Sequence, residues 1–170
     1  MSTVKQHFEP EAGQFRSGTV GPQYYRADGT NFPVTGFYFD ASTEETVYFR
    51  SRAFNFGASN TSITVLISWY ADTASSGDVI WGVSFAAITP NTDTQDIETK
   101  AFATEVTVTD SHLGTVGQRA HDISVANSNI DSAGPDDILI MRVARKASAG
   151  GDTMTGDAIL TMIDISYSDV

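Results

Sequence analysis

The side chains in this chain with the means to do chemistry are three histidines, His7, His112 and His121, and 21 carboxylates. No two histidines stand at the separation of an HExxH helix, so nothing in the spacing puts two imidazoles on one metal. His112 follows Asp110 and Ser111, the residue types of a nucleophilic triad. No G-x-S-x-G elbow is present to expose a serine on a strained turn. His121, beside Asp122 in an alternating stretch, reads as a structural residue. A glycosidase needs two acids facing each other across a cleft. The groups available are Asp40 with Glu44 and Glu45, Asp93 with Asp96 and Glu98, and Asp136 with Asp137, and they lie among turn-forming residues. Asp131, Asp136, Asp137, Asp152 and Asp157 flank loops, and hard oxygen donors suit Ca²⁺. EF-hand spacing is absent, as are the GxxxxGK[ST] and GxGxxG phosphate loops. There is no cysteine, which removes disulfides, thiolate catalysis and cysteine-type zinc sites. The expectation is a protein that is not an enzyme, with no catalytic residue, no cofactor and no metal ligand assigned.

Aromatic rings offer a second kind of chemistry, since a flat ring stacks on a sugar. The candidates include Tyr24, Tyr25, Tyr38, Tyr48, Tyr70, Trp69 and Trp81. The two tryptophans lie in the most apolar stretches, where core packing explains them. Arg50, Arg52, Arg142 and Arg145 all fall on predicted strands and read as salt-bridging residues at a rim or a subunit interface.

Strands must position these groups. Residues 76–89 alternate, with Val79, Trp81, Val83, Phe85 and Ala87 on one face and Ile80, Gly82, Ser84, Ala86 and Ile88 on the other. Period two means strand, because successive side chains leave a pleated backbone in opposite directions. Both faces are apolar or small, so this strand is the spine of the fold, and either a central position or a symmetry mate covers its second face. Residues 63–70 alternate too, and a short polar link predicts an antiparallel hairpin between the two. Further strands are predicted at Tyr24 and Tyr25, at 35–40, 46–56, 101–109, 120–126, 137–146 and 157–167, the last two forming a hairpin. Residues 91–100 form an acidic connection, and 111–119 a loop or one helical turn. Eight to ten strands with turns between them and no amphipathic helix predict an all-β chain: a two-sheet antiparallel β-sandwich, jelly-roll-like, with an extended N-terminal arm. The division is 1–22 for the arm and 23–170 for the sandwich.

Composition agrees. At 170 residues and 41% hydrophobic the chain suits one domain with a full core. Acids outnumber bases 21 to 10, which disfavours direct nucleic-acid binding. No apolar run reaches the roughly 20 residues of a membrane span, and the first residues lack a signal-peptide core. The chain reads as soluble and made in the cytoplasm.

Two patches resemble a known group. SSGDVIWGVSF (75–85) enters a D-x-x-W strand. DDILIMRVARKASAGGDTMTGDAILTMIDISYSDV (136–170) has a strand ending R-V-A-R, a loop with D-T-x-x-G-D-A, and a strand closing on Tyr. Together they resemble the β-sandwich domains of small tailed-phage virion proteins: head decoration proteins, head fibres and tail appendages. The resemblance covers about the last 100 residues and implies a bacteriophage structural protein, located in the virion, that self-associates as a homotrimer. It further implies that the arm binds the major capsid protein or a neighbouring virion protein, with no nucleic acid and no membrane. The residues expected to make that partner contact are Phe8, Phe15, Tyr24 and Tyr25. The alternative function is a carbohydrate-binding module or a receptor-binding domain of a tail or head fibre.

Overall fold

The computed structural model describes residues 2–18, 20–114 and 118–169. Among them are ten strands: β1 Thr3–Phe8, β2 Gln23–Ala27, β3 Val34–Phe39, β4 Glu45–Arg52, β5 Ile63–Ala71, β6 Asp78–Ile88, β7 Val106–Ser111, β8 His121–Asn127, β9 Ile138–Arg145 and β10 Ala158–Ser168. They form two antiparallel sheets, so the chain is an all-β, two-sheet sandwich of jelly-roll type. One sheet runs β2-β3-β10-β5-β8, with β1 also paired to β10; the other runs β4-β9-β6-β7. Residues 115–117, within the expected 111–119 loop, lie outside the described residues. No helix among the described residues is long and apolar enough to cross a membrane.

Period two does what the sequence pattern required. Val79, Trp81, Val83 and Phe85 are wholly buried between the sheets. Trp81 meets Phe39 edge-on at 5.2 Å and Trp69 at 6.3 Å, so both tryptophans are core residues. Each large buried side chain of this kind contributes about 1.5–3 kcal/mol through burial alone.

Strand pairing differs from expectation at both hairpins. β5 and β6 do not pair: β5 lies between β10 and β8 in one sheet, β6 between β9 and β7 in the other. The polar link therefore crosses from sheet to sheet, and the two strands meet face to face. β9 and β10 are likewise split between the sheets. Stacking strands with one wholly apolar face buries those faces against each other, which edge-to-edge pairing alone would leave open. A third difference is local. Residues 101–105 are irregular, and β7 starts only at Val106. They touch β6 through a single backbone bond, Ala103 N–H to the Phe85 carbonyl at 2.9 Å.

Residues 3–14 are sewn into both sheets. β1 pairs with the second half of β10, from Thr3 opposite Ser168 to Phe8 opposite Ile163. β3 pairs with the first half, and a bulge between Leu160 and Met162 separates the two segments. The chain then makes a 3₁₀ turn at Pro10–Ala12 and bridges Gln14 to Tyr48 on the free edge of β4. Gly13 is required there: a Cβ would stand 2.4 Å from the Phe37 ring.

The second face of β6 is covered by this chain itself. Ala86 and Ile88 are buried, Ile80 is half-buried with Gly151 over it, and Gly82 lies under the Glu105 carboxylate. β6 is thus a central strand between β9 and β7, with Ile88 buried and Ile80 left partly exposed on its second face.

Candidate functional site

Alternation in β4 sends Val47 and Phe49 inward and Tyr48 and Arg50 outward, and in β9 it sends Ile140 and Arg142 outward beside them. Two irregular segments wall this outer face. On one side residues 14–16 run along the β4 edge, held by reciprocal backbone bonds between Gln14 and Tyr48 of 2.8 and 2.9 Å. On the other, residues 89–105 form a strap. Lys100 Nζ pins it to Asp131 at 2.9 Å, and Asn129 donates to the Thr104 carbonyl at 3.2 Å. Between them lies an open groove of about 850 Å³, floored by Tyr48, Ala86, Ile140 and Arg142 and walled by Phe15, Ile97 and Phe102.

The groove has the parts a sugar needs. The Tyr48 and Phe102 rings lie 5.9 Å apart with 41° between their planes. The Arg142 guanidinium sits 5.1 Å from the Phe102 centroid, a cation on an aromatic face. Arg50 donates to Gln14 Oε1 at 3.1 Å at the polar edge. Apolar faces beside hydrogen-bonding groups match a pyranose, whose C–H face and hydroxyl rim have the same division. No paired carboxylates face across it; Glu98 is the single acid in its lining.

No family model matches the chain, and no curated protein does. Solved structures do. A carbohydrate-binding module, CBM36, in complex with calcium and xylotriose, is similar at 13% identity and TM-score 0.49, covering 94% of this chain and 98% of its own. A module specific for non-crystalline cellulose, CBM28, is similar at 10% identity and TM-score 0.49, over 91% and 85%. The mannan-recognising module CBM27 is similar at 10% and 0.46, over 99% of both chains. The phage resemblance stands on its two sequence patches alone.

The partner-contact residues expected from the sequence are scattered by the fold. Phe8 is 8% exposed and packs on Phe49 within the core, so it is not available to a partner. Phe15 is 45% exposed, stands edge-on to Phe37, and lines the groove. Tyr24 is exposed, and its hydroxyl donates to Glu11 Oε1 at 2.5 Å, which holds the Glu11 carboxyl below its ordinary range. Tyr25 lies on the outer face of the other sheet, 5.5 Å from Tyr38. The tyrosines Tyr38, Tyr48 and Tyr70 are half-buried and do not form one platform, since Tyr48 faces out from one sheet and the other two from the opposite one. Tyr38 donates to Asp72 at 2.9 Å, and burial pushes the Tyr70 hydroxyl up to about 12.

The acids have structural partners. Asp40 Oδ1 accepts from the Ser42 and Thr43 amides, and the Ser42 hydroxyl holds its carboxyl low. Glu45 is buried, which raises its pKa, and accepts from the Asp40 amide at 2.8 Å. These two shifts run apart as in an acid–base pair, but the lone pairs are engaged in one turn. Asp137 Oδ2 accepts from the Gly134 amide, Asp157 Oδ1 from the Ala41 amide, and Asp131 Oδ2 from the Ala87 amide. Among the described residues no three His, Cys, Asp or Glu side chains gather as a metal site. His121 is buried and stacked on Trp69 at 4.3 Å, with His112 at 4.8 Å. The Gly114 amide donates to His112 Nδ1 at 2.9 Å, and His121 Nε2 is buried without a hydrogen-bond partner among the described residues.

Arg145 was expected at a rim and is instead wholly buried. Its guanidinium donates to Asp152 Oδ1 at 2.9 Å, to the Met154 carbonyl at 2.8 Å and to the Gly156 carbonyl at 2.9 Å. Strand alternation places Arg145 on the inward face with Val143 and Met141, and the 152–156 loop, with the Phe39 carbonyl at 3.4 Å, supplies the acceptors that keep it there.

The groove residues sequence reasoning passed over are Gln14 and Phe102; Arg142 was read as a salt-bridging strand arginine, and it pairs with Glu105 at 3.4 Å while lining the groove. Outward pointing of Tyr48 with Arg50 was legible from alternation. Phe102 was not, because the stretch around it alternates like a strand.

Proposed function

We propose that this chain is a non-catalytic carbohydrate-binding domain that holds a glycan chain in the groove over the β4-β9-β6-β7 sheet. The carrying observation is the pairing of Tyr48 with Phe102 on a groove of about 850 Å³ open along the sheet face. Stacking on rings of this kind is worth about 0.5–1.5 kcal/mol each beyond area burial, enough with a few hydrogen bonds for micromolar binding. The absence of a facing acid pair in the lining fits binding without cleavage.

Titration calorimetry against a panel of soluble polysaccharides tests this. At least one is expected to bind, with Tyr48→Ala and Phe102→Ala each lowering affinity about tenfold or more, a loss of roughly 1.4 kcal/mol. A blank panel, or binding unchanged in both variants, overturns the reading.

A second reading keeps the virion: the domain self-associates and attaches to a capsid or tail surface. One observation favours it, the exposure of Phe15 and Tyr24 at 45% and 49% on neighbouring segments. Light scattering on the purified chain is expected to give a trimer mass under this reading, and a monomer mass at high concentration removes it.

A further inference from the structure

We infer that the groove selects an acidic glycan, one carrying uronate carboxylates, an inference that rests on the carbohydrate reading of the same groove. The chain is strongly acidic, with 10 basic and 21 acidic residues. The groove inverts that balance: Arg16, Arg50, Lys100 and Arg142 line it against Glu98 alone. Four of the ten bases thus converge on one face of an anionic protein.

Their pairing tells which of them are available. Lys100 is held by Asp131 at 2.9 Å with its side chain 11% exposed, so it serves the strap. Arg142 reaches Glu105 Oε2 only at 3.4 Å, while Lys146 holds the other oxygen of that carboxylate at 3.0 Å. The Arg142 Nε is buried and makes no hydrogen bond, so what this arginine offers the groove is the exposed part of its guanidinium, whose side chain is 31% exposed. Arg50 has no carboxylate within ion-pair distance among the described residues; its one hydrogen bond is to the neutral Gln14. Arg50 at the polar edge, with no carboxylate partner, and Arg142 on the floor, partly exposed, with one long ion pair and stacked on the Phe102 ring, are therefore the two cations open to a ligand.

A uronate sugar answers both features. Its pyranose has a C–H face for the ring, and its carboxylate lies at the ring's edge, where the guanidinium fork binds oxyanions through two parallel hydrogen bonds. A neutral hexose carries a hydroxymethyl group at that position and leaves the charge unanswered. The net negative charge of the chain repels a polyanion at long range. That repulsion is screened within about 10 Å at ordinary salt, whereas groove contacts act at hydrogen-bond distance. Charge on the sugar is therefore varied directly in the test rather than through salt.

The experiment is titration calorimetry of the full chain against oligogalacturonate, oligoalginate and hyaluronan fragments, each compared with its carboxyl-reduced counterpart, which has the same backbone without charge. At least one acidic form is expected to bind about tenfold more tightly than its reduced form, as one charge-assisted contact supplies. Arg50→Gln and Arg142→Gln are each expected to shrink that ratio several-fold with thermal melting close to the parent. Arg26→Gln, an exposed arginine on β2 paired with Asp28, is expected to leave the ratio intact. Equal binding of acidic and reduced forms, or a ratio unchanged in both groove variants, overturns the inference while leaving a glycan-binding domain. No binding to any member of either series, together with a blank neutral panel, overturns both.

Discussion

Arg142 and Arg145 stand three residues apart on one strand and live in opposite worlds. Arg145 points inward, wholly buried, with Asp152 and the Met154 and Gly156 carbonyls around its guanidinium. Arg142 points outward into a groove with one long ion pair and an unpartnered Nε. Both are arginines of β9, Arg142 between Met141 and Val143 and Arg145 between Ala144 and Lys146, and residue type alone does not separate them. The difference teaches that alternation sets which way each arginine points, and that the acceptors brought to it, here by the adjoining 152–156 loop, decide whether it holds the fold together or stays open to a ligand. A buried guanidinium is tolerated only when its donors are answered. An outward one need not be answered by the protein, because water or a bound anion can do so.

The largest expected effect comes from breaking the closed side of this contrast. Arg145→Met leaves Asp152 buried without its cation and is expected to lower stability by about 3–5 kcal/mol in urea unfolding. The double variant with Asp152→Leu is expected to recover much of that loss, since both charges then leave together; the Ile80 amide, which Asp152 accepts at 3.0 Å, still loses its partner. An unchanged midpoint in Arg145→Met would show that the knot contributes nothing.

Gly82→Ala probes the boundary between the two environments. A Cβ there would stand 2.6 Å from the Glu105 carboxyl carbon. The carboxylate end is flexible and gives way, so the expected cost is at the low end of overpacking, about 1 kcal/mol. Moving Glu105 also releases Arg142, and tighter binding of an acidic oligosaccharide should accompany the small loss of stability. Weaker binding would argue that Glu105 orients Arg142 rather than competing for it.

On the open side, Arg142→Met is expected to change stability by less than about 1 kcal/mol, because a partly exposed pair is replaced by a side chain that stacks equally well on Phe102. A loss as large as that of Arg145→Met would erase the contrast.

Histidines repeat the comparison with smaller effects and opposite signs. Burial holds His121 below its ordinary value near 6.5, so the unfolded chain takes up the proton first and stability falls as pH drops from about 6.5 toward the lowered folded value. His7 lies at the surface between Glu9 and Asp164, at 2.9 and 2.7 Å, and hydrogen bonds to these two carboxylates raise its pKa. Its contribution is fully present below about 6.5 and is lost as pH rises through the raised folded value. Melting temperatures across this range should lose their acid-side decline in His121→Gln and part of their alkaline-side decline in His7→Gln. Parallel profiles for all three proteins would remove both assignments.

Much of the fold was legible because strand formation is a local matter. The alternation of β5, β6, β9 and β10 marked each strand and each core face, and the inward residues of β6 were named correctly from spacing alone. Where a strand pairs is not local. Two neighbouring alternating segments look the same whether they join as a hairpin or face each other across a core, and the Trp69–Trp81 contact exists only in the second case. The site was less legible. Tyr48 and Arg50 could be placed on an outward face, but the strap that brings Phe102 above them is held by Lys100 to Asp131 and Asn129 to Thr104, contacts across 25 residues or more of chain. The pairing of the N-terminal segment was not legible for the same reason: β1 is short and polar on one face, and its partner β10 lies near the other end of the sequence.

The sequence by itself determined that this chain is all-β, which side chains alternate together, and that its catalytic residue types stand in no reactive spacing. Only the tertiary structure decided which strands share a sheet, that Phe8 belongs to the core, that Arg145 is buried while Arg142 is not, and that a groove exists at all. The physical reason is range. Backbone stereochemistry sets the two-residue period within a strand, whereas sheet partners and the walls of a groove come from segments far apart in sequence, brought together by burying both apolar sheet faces at once.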